Sequence, residues 1–156
     1  LLASSAASDV YKRQAHSDFM GENEIHLDPS SSFLYCDIFN CGRVAMGERF
    51  QMKRYQSKTR IYVGETLAMA DHTLLDPSWF AYDTLGLWNN YTHNGLLYLY
   101  TPDGEQKSRW IQMIRDKKPD HLEAGCSECR QGILLRVLGK SGDAVYDYFE
   151  DIAREV

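Results

Sequence analysis

The chain is 156 residues long, which suits one domain, with 44% hydrophobic and 25% charged residues and a formal net charge of −5. That balance argues against a general nucleic-acid or membrane-surface binder, which needs a basic patch to neutralise phosphates. No apolar run approaches the roughly 20 residues needed to cross a bilayer. No secretory apolar segment is present, and four cysteines are too few for a disulfide framework, so we read a cytoplasmic chain with reduced thiols.

The first stretch, LLASSAASDVYKRQ (Leu1 to Gln14), has neither strand nor helix periodicity and resembles translated adapter sequence. We set residues 1–14 aside as non-native or disordered, and take 15–156 as a single domain truncated at its N-terminal side. From Glu24 to Tyr100 the sequence reads as strands. EIHL (Glu24 to Leu27) is short and alternating, and Asp28-Pro29-Ser30-Ser31 is a turn. In FLYCDIF, Phe33, Tyr35, Asp37 and Phe39 share one face, while Leu34, Cys36 and Ile38 share the other. Both faces are largely apolar, which predicts a strand covered on both sides.

ERFQMKRY (Glu48 to Tyr55) alternates well and is predicted as a strand. TRIYVGETLAMAD (Thr59 to Asp71) predicts two strands joined at Gly64-Glu65. HNGLLYLYTPDGE predicts a turn at Asn94-Gly95, a strand from Leu96 to Tyr100 and a turn from Pro102 to Gly104. A helical period follows, with Trp110, Ile111, Met113 and Ile114 in one stripe and Pro119 beyond its end. GILLRVLG (Gly132 to Gly139) is a further strand. A last helix places Val145, Phe149, Ile152 and Val156 on one face, with Ser141 as N-cap and Asp143 in the first turn. The expected fold is mainly β, a helical stack or layered sheets of short strands, with two helices toward the C-terminus.

Candidate chemistry is sparse. No nucleophile elbow or phosphate-cradling glycine loop is present. Cys126 and Cys129 form a C-x-x-C that could join Cys36 and Cys41 in a zinc site, though two surface-turn cysteines are the favoured reading. Asp71-His72, with Glu48 possible nearby, carries donors that nickel or zinc accepts. Arg43 and Glu48 each follow a glycine, Gly42 and Gly47, so a tight corner can bring them into a bidentate pair.

These residues carry a resemblance. YCDIFNCGRVAMGERFQM is similar to the G-R-x-x-x-G-E-x-F segment of the UreD (UreH) urease accessory family. YVGETLAMADHTLLDP and AGCSECRQGILLRVLGKSGDAVYDYFEDI resemble two later segments of that family, in order. Gly42, Arg43, Gly47, Glu48, Phe50, Asp71, Leu75 and Pro77 fill its motifs, as do Gly125, Ser127, Gly132, Arg136, Leu138 and Gly139. The resemblance implies a non-enzymatic chaperone of nickel insertion into urease, with UreF-like and UreG-like proteins and the urease apoprotein as partners. It also implies an internal passage for nickel, no tightly bound cofactor, and roughly the first half of the family length missing here. Gly42, Arg43, Gly47, Glu48 and Asp71 are then the passage candidates, with Glu48, Asp71 and His72 as weak metal ligands. The rival expectations are a zinc-stabilised interaction module and a small β-sandwich hydrolase using Asp71 and His72 as acid and base.

Overall fold

The computed structural model describes residues 14–156; apart from Gln14, the adapter-like segment lies outside the described residues. The elements are β1 (Asp18–Leu27), β2 (Phe33–Asn40), a 3-10 turn (Val44–Met46), β3 (Arg54–Val63), β4 (Thr66–Leu75) and β5 (His93–Tyr100), then α1 (Gly104–Asp116), β6 (Glu123–Cys129), β7 (Gly132–Gly139) and α2 (Gly142–Ala153). They form three layers, as the mainly-β reading with two C-terminal helices requires. A three-stranded sheet of order β1-β3-β4 faces a four-stranded sheet of order β2-β5-β7-β6, whose other side carries both helices.

Strand alternation decides which residues fill each layer. Leu97 and Leu99 of β5, and Ile133, Leu135 and Val137 of β7, point at the helices and pack on Trp110, Ile111, Ile114, Val145, Phe149 and Ile152. Their neighbours Leu96, Tyr98 and Tyr100 point the other way, onto Ile61, Val63 and Met69 of the smaller sheet. β2 is covered on both sides as its sequence predicts, with Leu34, Cys36 and Ile38 under the helices and Phe33 and Tyr35 between the sheets. An aromatic cluster of Phe39, Tyr55, Tyr82 and Trp88 closes one end of the sandwich.

The helix ends follow their capping residues. The Asp103 carboxylate accepts from the backbone N–H groups of Glu105 and Gln106 at 2.9 and 3.1 Å, and Ser141 caps α2 with Asp143 in its first turn. The Asp28 turn forms as well, its carboxylate accepting from Ser30 N at 2.8 Å. Among the described residues no helix is long and apolar enough to cross a membrane.

Four local expectations are corrected. Residues 48–53 are not strand: Phe50 adopts a left-handed φ of 50° and its N–H donates to Cys41 O at 2.7 Å, so the segment folds back as a loop and β3 begins only at Arg54. Asn94-Gly95 is not a turn but the start of β5, where a Cβ on Gly95 would lie 2.6 Å from Val145 Cγ1, so glycine lets α2 approach the sheet. Residues 102–104 lead directly into α1 through the Asp103 cap. Cys126 and Cys129 lie in β6, an edge strand paired with β7, rather than in a surface turn. In addition, β1 runs over 10 residues, well beyond the four alternating ones that signalled it.

Candidate functional site

Two ion pairs organise the motif residues. The first closes the corner between β2 and β3. Gly42 and Gly47 take φ values of 146° and 76°, on either side of the 3-10 turn, and so bring Arg43 and Glu48 together. Arg43 Nε donates to Glu48 Oε2 at 2.8 Å and Nη2 donates to Oε1, giving the bidentate pair that the spacing predicts. Ala15 N adds a third donor to Oε2 at 3.1 Å. The guanidinium hydrogen bond holds the Glu48 carboxyl below its ordinary value and raises Arg43 in turn. Beside this corner lies a cleft of about 420 Å³ lined by Asn40, Arg43, Val44, Ala45, Met46 and His93.

The next two residues fasten the corner to the loop between β4 and β5. Arg49 Nη2 donates to Asp83 Oδ1 at 2.8 Å. Phe50 stacks on Tyr82 with ring centroids 5.5 Å apart and meets Trp88 edge-on at 5.2 Å. The left-handed backbone at Phe50 is the conformation that aims its ring into this cluster.

The second ion pair lies between the sheets. Arg136 of β7 donates to Asp71 Oδ1 of β4, and Thr73 Oγ1 donates to Asp71 Oδ2 at 3.2 Å. The Asp71 side chain is 12% exposed and that of Arg136 48%, so the carboxylate is the sequestered partner. Other polar groups share this inter-sheet layer. Asn23 Nδ2 donates to Thr59 Oγ1 at 3.3 Å, and Tyr35 Oη lies 3.4 Å from the same oxygen. Burial pushes the Tyr35 phenol up to about 12. A polar seam therefore crosses an otherwise apolar interior.

The structure separates several residues that the sequence placed together. Asp71 and His72 are consecutive in a strand, so their side chains take opposite faces: Asp71 turns inward to Arg136, whereas His72 Nε2 sits 2.9 Å from Gln56 Nε2 on the outer face. They do not form an acid–base pair. Glu48 and Asp71 belong to two distinct ion pairs. Among the described residues no three His, Cys, Asp or Glu side chains converge to hold a metal ion. Cys36 and Cys126 both touch the helix-side core, but β2 and β6 are three strand spacings apart, about 14 Å. Cys41 lies in the aromatic end cluster instead, so the four thiols do not meet. All four are free, and burial raises each thiol above its ordinary value. The role of Arg136 escaped the reading of individual residues; its one signal was a lone cation inside the apolar run GILLRVLG.

A model of the UreD urease accessory protein family matches residues 13–156. Similar curated proteins include the urease accessory protein UreD of Flavobacterium johnsoniae, 27% identical over 141 residues, covering 88% of this chain and 51% of that protein. The urease accessory protein UreH of Helicobacter hepaticus is 28% identical over 138 residues, covering 88% and 53% respectively. UreH of Helicobacter pylori strain G27 is 30% identical over 139 residues, covering 87% and 51%. The chain spans about half the length of these relatives. With the whole described fold inside the match, the chain belongs to the UreD urease accessory protein family.

Proposed function

We propose that the chain is a non-catalytic scaffold of urease maturation, acting in the cytoplasm with UreF-like and UreG-like proteins on the urease apoprotein while nickel is inserted. The observation that carries this reading is the family match over residues 13–156. The layered frame supports it: the motif arginines and carboxylates tie strands and sheets together instead of surrounding a reacting group.

Nickel is cargo in this reading. The polar seam between the sheets, with Asp71 at its centre, is the part of the interior where oxygen donors are concentrated. Glu48 and Asp71 are each held by a guanidinium, so a cation reaching either carboxylate must displace Arg43 or Arg136. Such a site binds weakly and releases readily, as a hand-over requires; a cluster of thiolates would hold the metal.

The test is the nickel content of urease matured with Glu48→Ala or Asp71→Ala in place of the natural chain. The expected result is underloaded urease, with apoprotein binding retained. Full loading in both variants removes the relay role, and failure of the unaltered chain to associate with urease apoprotein removes the scaffold reading itself.

A further inference from the structure

We draw no further inference here: the strongest candidate, the cleft of about 420 Å³ lined by Asn40, Arg43 and His93 beside the N-terminus of α2, rests on a helix N-terminus whose neighbouring guanidinium is already engaged by Glu48, and no second feature among the described residues points to a ligand there.

Discussion

Arg136 of β7 and Asp71 of β4 join the two sheets through one ion pair whose carboxylate is sequestered and whose guanidinium is half in water. The asymmetry sets the cost of breaking it from either end. Replacing Arg136 with Met strands a mostly buried carboxylate that keeps, among the described residues, only the Thr73 hydroxyl as a donor. Replacing Asp71 with Asn frees a cation that solvent can reach. We expect Arg136→Met to cost about 1–2 kcal/mol and Asp71→Asn under about 1 kcal/mol, read as unfolding midpoints in urea. Equal costs would mean that the pair lies in water after all.

Gly47 and Gly132 both have positive φ, 76° and 125°, but differ in what surrounds them. A Cβ at Gly47 would meet nothing within 4 Å, whereas one at Gly132 would lie 2.5 Å from Leu99 O and 2.7 Å from the Tyr98 ring. Gly47→Ala should therefore cost only the left-handed backbone term of about 1–2 kcal/mol. Gly132→Ala adds a clash with backbone and should cost about 3 kcal/mol or more. Chemical denaturation of the two variants side by side checks the order.

The Arg43–Glu48 clasp has a signed pH dependence. Arg43 holds the folded-state Glu48 carboxyl below its ordinary value of 4.5. Its stabilisation is complete above that value and is lost as pH falls through the lowered folded-state value. An Arg43→Gln variant should lose this part of the acid limb: its melting temperature should approach that of the unaltered chain as the medium becomes acidic, and lag behind it near neutrality. Parallel curves through the acid range would show that the clasp does not form.

Burial gives the alkaline side the opposite sign. Tyr35 is pushed up to about 12 from 10.0, and Tyr98 is raised further by the same cause. A raised phenol stabilises the fold fully below the ordinary value, and the contribution fades as pH rises from there toward the folded-state value. Phenolate absorbance from Tyr35 and Tyr98 should thus appear only together with unfolding. Smooth titration of every tyrosine in the folded chain would contradict the inter-sheet packing.

Much of this architecture could be read directly from residue order. The alternating faces of Phe33 to Phe39, the hairpin at Gly64-Glu65 and the caps Ser141 and Asp143 are local signals, and the structure follows them. So is the Arg43–Glu48 pair, because two glycines five apart restrict how the chain between them can turn. The failures occur where a distant element overrides local preference. Asn94-Gly95 looks like a turn in isolation, and only the approach of α2 explains a glycine inside β5. Residues 48–53 alternate like a strand, yet Phe50 is drawn into the aromatic cluster by Tyr82 and Trp88, more than 30 positions later. Asp71 was singled out without its partner, because nothing local says which cation will lie across the sandwich.

One topological detail governs how such a chain can be assembled. β1 lies parallel to β3, although β2, which comes between them in sequence, belongs to the opposite sheet. The smaller sheet therefore cannot zip up as a run of hairpins; its first strand waits until the chain has passed through the other layer and returned. Formation of either sheet then depends on the other, so the sandwich should melt as a unit, and its folding should be slow for its size because the obligatory contacts span long loops.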